Sequence, residues 1–243
     1  MIRQGSYIVD RDQPSLSDGD AEAVARFHRL YYQRWNDDAD TLNLSWLGHR
    51  LAKCPMDLWM YQELLVRTRP DVVVEAGTYL GGSALFLATI LDYIGHGRII
   101  TIDIAPQPDR PVHPRIEYVL GSSIDPAVVQ HVRASVGERP AMVILDSDHT
   151  ENHVHAEMTA YSPLVHPGGY LIVEDTNVNG HPALPSFGPG PMEAVDRFLA
   201  ERHDFEIDAR CERFLMTQNP RGYLRRSAAT GPPSGVPPAS IGR

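Results

Sequence analysis

Val73-Val74-Glu75-Ala76-Gly77-Thr78-Tyr79-Leu80-Gly81-Gly82-Ser83 is the stretch on which the fold turns. The β-branched run Val72 to Val74 follows Pro70 and predicts a short buried strand ending at Glu75. The glycines after it allow a sharp backbone turn. Gly82 to Ile94 then carries apolar residues at helical spacing and is closed by Gly95 and Gly97, which predicts a helix. Strand, glycine turn and helix make the opening unit of an α/β domain.

The same alternation continues outward. Arg98 to Ile104, Ile116 to Leu120, Ala141 to Leu145 and Tyr170 to Val173 read as strands. Asp125-Pro126 supplies a cap and a first-turn proline for a helix to about Val136. His153 to Tyr161 and Pro191 to Arg202 read as helices, and Phe205 to Ala209 with Phe214 to Thr217 as a closing strand pair. Ala21 to Arg34 and Pro55 to Arg67 add two helices upstream. The expected fold is α/β: a doubly wound, mostly parallel seven-stranded sheet with an N-terminal helical extension. Residues 1–20 are expected to be flexible, 21–226 to form a single domain, and 227–243 to be a disordered Pro/Gly-rich tail.

Composition narrows the partners. The 243 residues carry 22 basic and 31 acidic side chains, a net charge of −9, which opposes binding to nucleic acid or anionic lipid. No apolar run approaches the roughly 20 residues of a membrane helix, so stable membrane insertion is not expected. The polar, aspartate-bearing first 20 residues speak against a signal peptide. Two cysteines, Cys54 and Cys211, are too few for a disulfide framework; they read as packing residues of a cytoplasmic protein. The apolar upstream helices suggest a homo-oligomer. His28, His49 and His203 read as surface groups.

Parallel sheets bind ligands at the carboxyl ends of their strands, which directs attention to the residues that follow each one. The turn Gly77, Thr78, Tyr79 to Ser83 lacks the G-x-G-x-x-G dinucleotide fingerprint. Glu75 would repel a pyrophosphate but suits a cationic amine, so a methionine-type nucleoside is favoured over a dinucleotide; an ordinary strand-to-helix turn is the alternative. Asp103 closes the second strand, where an acid commonly takes a ribose hydroxyl pair or serves as a cap. Ser122 and Ser123 could meet an adenine or simply start a turn.

The fourth and fifth strands end in Asp146-Ser147-Asp148-His149 and Glu174-Asp175-Thr176-Asn177. Two acidic clusters on consecutive strand ends would repel one another at one mouth of the sheet. A hard divalent cation with oxygen ligands, Mg²⁺, resolves that repulsion, with Asp146, Glu174 and Asp175 as the ligand triad. Asp148 is an alternative ligand or a substrate contact. His149, three residues past Asp146, could take a proton from a hydroxyl held on the metal. Helix caps and surface ion pairs are the competing reading of these acids. The loop Thr176 to Met192 is expected to face substrate through Asn177, Asn179, His181 and Phe187. Trp59, Tyr61 and Gln62 either line the same pocket or pack in the core.

These residues resemble a known family. The run from Val73 to Ser83, Leu145 to His149, Glu157-Met158, Val173 to Pro182, Phe187 to Pro191 and Trp59 to Glu63 is similar to the cephalosporin hydroxylase family, which includes bacterial rhamnosyl O-methyltransferases. The resemblance spans about residues 25 to 226. It implies a class I methyltransferase fold using S-adenosylmethionine and often Mg²⁺. It also implies a small hydroxylated acceptor, a sugar, glycosylated natural product or glycolipid. Catechol-type O-methyltransferases place a metal acid and a basic residue three positions apart, here Asp146 and His149. Two other readings remain: a nicotinamide-dependent oxidoreductase, disfavoured by the missing glycine and by Glu75, and a non-catalytic nucleoside-binding protein. No iron-binding triad of two histidines and a carboxylate stands out, so hydroxylation is set aside.

Overall fold

A computed structural model describes residues 15–37 and 44–227. The expectations for 1–14 and 228–243 lie outside the described residues. Helix α1, Asp18–Asp37, starts three residues earlier than its apolar periodicity suggests, with Asp18 and Asp20 in the first turn and Arg34 in the last, each suiting the helix dipole. A two-residue hairpin that the sequence pattern does not announce follows: β1, Ser45–Trp46, and β2, His49–Arg50. Its turn residues Leu47 and Gly48 both have positive φ, the geometry that matches strand twist. Helix α2, Pro55–Thr68, begins on its proline and stops where Arg69 turns left-handed.

Strand β3 is Val72–Ala76, helix α3 Gly82–Ile94, strand β4 Arg98–Asp103 and strand β5 Ile116–Leu120. Helix α4, Pro126–Val136, is capped by Asp125, whose carboxylate accepts from Ala127 N at 2.7 Å. Strand β6 is Ala141–Leu145, helix α5 Glu151–Tyr161, strand β7 Tyr170–Val173 and helix α6 Pro191–Glu201. The chain closes with β8, Phe205–Ile207, and β9, Tyr223–Arg226.

Seven strands form one sheet in the order β5-β4-β3-β6-β7-β9-β8. The first five run parallel, and β9 lies antiparallel to both of its neighbours. The doubly wound expectation holds, but one strand was misplaced. Phe214–Thr217 is not a strand; the partner of β8 is Tyr223–Arg226. Tyr223 and Leu224 are fully buried against Ile172 and Leu171 of β7. The two arginines that follow disguise this strand as surface, and Arg226 reaches Asp204 at 3.1 Å.

Period-two alternation divides the core. Val72, Val74 and Ala76 face helices α4, α5 and α6, together with Val132, Met158 and Phe198. Val73 faces α2 and α3, with Leu64, Leu87 and Ile99. A fully buried valine contributes about 1.5–3 kcal/mol, so this strand is fixed in place by its own side chains. Glu75, two residues past Val73, falls on the α2–α3 side of the sheet. The chain winds outward from β3 through β4 to β5, then returns through α4 to β6 on the other side of β3. The switch point lies between β3 and β6, where such sheets bind ligands.

Candidate active site

Register lines up the polar strand ends. Ala76 pairs with both Ile102 and Leu145, and Leu145 pairs with Val173. The next residue on each chain, Gly77, Asp103, Asp146 and Glu174, therefore stands in one row. Gly77 makes that row possible: a Cβ there would lie 1.7 Å from the Asp146 carbonyl oxygen, and its φ is +94°. Glycine is needed here so that two strand ends can touch.

Glu75 is fully buried. Its Oε2 accepts from the Thr101 hydroxyl at 2.6 Å, while Oε1 has no partner. Burial raises its pKa, against the nearby Lys53 charge and hydrogen bonds from Ser83 and Thr101. Thr78 is buried, with its hydroxyl 2.7 Å from that of Thr101. Asp103 stitches the turn together. Its carboxylate accepts from Thr78 N at 3.1 Å, Tyr79 N at 2.7 Å and Ala105 N at 2.9 Å, and lies 3.2 Å from Arg110. Tyr79 is exposed, with φ +48°. Ser123 is buried and meets His153 at 3.1 Å; Ser147 also meets His153, at 3.2 Å, and donates to Glu157 at 2.6 Å. Glu157 enters the sequence reading only as part of the family-like Glu157-Met158 segment, and His153 only as the start of a helix; neither is given a site role there.

Among the described residues, Asp146, His149 and Asp175 offer ligand atoms that all lie within 4.8 Å of one another. His149 Nε2 is 3.3 Å from Asp175 and 3.8 Å from Asp146. Asp175 is held in a left-handed conformation, φ +53°, with its N–H donating to Asn219 Oδ1 at 3.1 Å. Burial raises the Asp175 carboxyl, and Asp146 adds to the effect while His149 opposes it. Glu174, the third acid of the expected triad, sits beside this group and shares an ammonium with Asp146: Lys53 donates to its Oε1 at 2.6 Å and also to Asp146 Oδ2. Burial and then the Asp146 charge push Glu174 well above the usual carboxylate range. The carboxylate oxygens of Asp146 and Asp175 suit a hard divalent cation, and the His149 imidazole stands beside them. Three acids crowd one ammonium, and burial with their mutual repulsion opposes ionising all three unless a further cation is present.

Four sequence expectations are corrected. Tyr61 is buried in the core, and its hydroxyl accepts from Asn219 at 3.0 Å; burial, with Glu174 nearby, raises its pKa. Trp59, two positions away, is exposed and donates to Glu63, since residues two apart point to nearly opposite sides of a helix. Asn177 is fully buried, its amide 2.9 Å from His28 Nε2, so it ties the loop to α1 instead of meeting substrate. His28 is therefore not a surface group. Asp148 turns away from the acidic cluster and accepts from Thr150 N and Oγ1 at 2.8 and 2.6 Å at the start of α5. His181 is half-buried and pairs with Glu193 at 3.0 Å, alongside Asn179 at 2.9 Å. Both cysteines are buried and free, with burial pushing each thiol up to about 12.

Sequence reading missed Lys53, Asp57 and Asn219. Asp57 is buried and accepts from Gln218 N at 2.9 Å, Tyr223 Oη at 2.7 Å and the Thr217 hydroxyl. In sequence it looks like an ordinary first-turn acid. The only hint for Lys53 is its place among Leu51, Ala52, Cys54 and Pro55, an apolar setting for a charge.

A doubly wound sheet with this acidic row at its switch point is a class I methyltransferase fold. The model of the rhamnosyl O-methyltransferase/CmcI family matches residues 39–227. A rhamnosyl O-methyltransferase of Mycobacterium bovis is 40% identical over 221 residues, covering 85% of this chain and 86% of its own. The apo structure of CmcI superposes with a TM-score of 0.61 at 26% identity, over 91% of this chain and 88% of that one. CmcI in its Mg–SAM form shares the fold at a TM-score of 0.62 and 24% identity, over 90% and 88%. The chain belongs to the rhamnosyl O-methyltransferase/CmcI family, and with it to the S-adenosylmethionine-dependent O-methyltransferases. The nicotinamide-dependent reading is set aside. No helix among the described residues is long and apolar enough to cross a membrane.

Proposed function

We propose that the chain methylates a hydroxyl of a sugar-bearing small molecule, rhamnosyl acceptors first, with Mg²⁺ beside the reacting oxygen. The observation that carries this is the meeting of Asp146, His149 and Asp175 at the switch point. The unpartnered, buried Glu75 Oε1 supports the cofactor assignment, since a methionine ammonium is the donor it lacks. The turn Gly77, Thr78, Tyr79 to Ser83 would surround that end of the cofactor, Asp103 the ribose, and Ser122 and Ser123 the adenine.

Bound cofactor supplies an electrophilic methyl on a sulfonium, and Mg²⁺ lowers the pKa of a hydroxyl on it. Asp146 and Asp175 would hold the ion, with Glu174 adding its charge from the side taken by Lys53. His149 Nε2 receives the hydroxyl proton; the imidazolium formed is stabilised by Asp175 and Asp146, both within 4 Å. The Thr176–Met192 loop is pinned by Glu193 through Asn179, His181 and Gly190 N, and we assign it to the acceptor side. The buried free cysteines support a reducing, cytoplasmic location, and the exposed Phe27 and Leu30 of α1 support a homo-oligomer.

Methyl-labelled S-adenosylmethionine with a panel of rhamnosylated acceptors, with and without EDTA, tests the proposal. Label should enter a sugar hydroxyl only when Mg²⁺ is present. No transfer across the panel, together with no calorimetric heat from the cofactor, would overturn it.

A further inference from the structure

Among the described residues, Lys53 is a buried cation at the acidic row that the chemistry above leaves without a role. It is 3% exposed, stands just before α2, and bonds Asp146 and Glu174 at once. It also lies close enough to Glu75 to act on it electrostatically. Its position is specified by the backbone: Gly82 allows the β2 segment to pack against α3, because a Cβ there would lie 2.0 Å from the Arg50 carbonyl oxygen. That contact carries the chain directly into Leu51 and Lys53. A buried lysine is expensive unless fully paired, and here both partners are carboxylates of the candidate metal site.

We propose that Lys53 is a resident counter-cation, which keeps the acidic row folded without metal and sets how tightly metal is held. Without it the partly buried acids Asp146, Glu174 and Asp175 would lose the ammonium that Asp146 and Glu174 share. With it, one positive charge already offsets part of the acids' repulsion, so a divalent ion entering the row gains less than it would without Lys53. The inference rests on the metal reading above.

The test uses the full chain as wild type, Lys53→Met and Lys53→Arg, with Mn²⁺ as the probe. Thermal midpoints in EDTA and in Mg²⁺, and Mn²⁺ affinity by electron paramagnetic resonance of the free ion, are the readouts. Lys53→Met should melt several degrees below wild type in EDTA, regain most of that in Mg²⁺, and bind Mn²⁺ about 10-fold more tightly. Lys53→Arg, which keeps the charge, should stay within about 3-fold of wild type in Mn²⁺ affinity. If Lys53→Met does not fold, Lys53→Met with Glu174→Gln restores the charge balance and should fold. Failure of that pair to fold overturns the proposal. An unchanged midpoint in EDTA, or weaker Mn²⁺ binding by Lys53→Met, overturns it while leaving the metal reading standing. Mn²⁺ binding by neither wild type nor Lys53→Met sinks the metal reading and the proposal with it. Binding by Lys53→Met alone supports the proposal.

Discussion

The two halves of the strand-end row handle buried acid in opposite ways. On the β3–β4 side, Glu75 and Asp103 are met chiefly by hydroxyls and backbone amides, neutral donors fixed by the fold, and the Arg110 guanidinium 3.2 Å from Asp103 balances that acid's charge. On the β6–β7 side, Asp146, Glu174 and Asp175 are met by an ammonium and an imidazole, and the charges still do not balance. Neutral donors build a rigid seat, here one with a single unfilled acceptor. Excess charge builds a demand for an ion. The first half should therefore fail through stability and cofactor affinity, and the second through turnover.

The largest effect expected from that division is at Asp175. Asp175→Ala should lower methyl transfer by about 10³-fold, since roughly 4 kcal/mol of charge stabilisation goes with the ion at 1.36 kcal/mol per tenfold. Cofactor affinity should stay within about 3-fold, and the melting temperature should hold, because a carboxyl raised by burial and by Asp146 is relieved. Steady-state rates with calorimetry on the same preparation check this. Full activity of the variant in metal-free buffer would erase the distinction between the halves.

Gly77→Ala comes next, and it acts on the fold. The added methyl meets the Asp146 carbonyl at 1.7 Å and the backbone is at positive φ. A cost of about 3 kcal/mol or more is expected from combined overpacking and strain, near 10 °C in melting temperature for a chain of this size. A melt within 2 °C of wild type would mean that the strand ends are not held in contact.

Glu75→Gln sharpens the cofactor side. Losing one charge-assisted hydrogen bond should weaken S-adenosylmethionine about 10- to 100-fold, with EDTA making no difference to the value. The fold should be no less stable, since burial already disfavours the charged form. Equal affinity in both forms would remove Glu75 from the cofactor site.

Much of this was legible in the chain, for identifiable reasons. β3, α3 and β6 announce themselves because five consecutive buried residues or a helical apolar period leave little choice. The acids at strand ends were found because the carboxyl-edge rule says where to look. The fold then brought Asp146, His149 and Asp175 together and left Asp148 bonded to Thr150, just before α5. β9 was missed because an edge strand ending in two arginines carries only half an apolar pattern. Lys53, Asp57 and Asn219 were missed because each acts across more than 40 residues of sequence, through contacts that no local period encodes. Asn177 was misjudged for a related reason: a buried amide looks like a loop amide until its partner, His28, is known to be 149 residues away.

His28 offers the smallest effect and a test of how α1 is attached to the acidic half. Burial holds its pKa at about 4, with Arg29 adding to the effect, so the folded ring stays neutral and meets the Asn177 amide. The unfolded chain has an ordinary imidazole near 6.5 and takes up its proton first. Stability from this contact is therefore complete above pH 6.5 and is lost progressively as pH falls towards 4. About 1–2 kcal/mol is expected, below the ceiling of 1.36 kcal/mol per unit, because α1 can open locally to let the ring protonate. Chemical denaturation of wild type and His28→Gln across pH 7 to 4 isolates the term, since the carboxylates that titrate in the same range are common to both. The difference between the two curves should fall steadily with pH. A flat difference would show that α1 is not held to the Asp175–Asn177 turn through this ring.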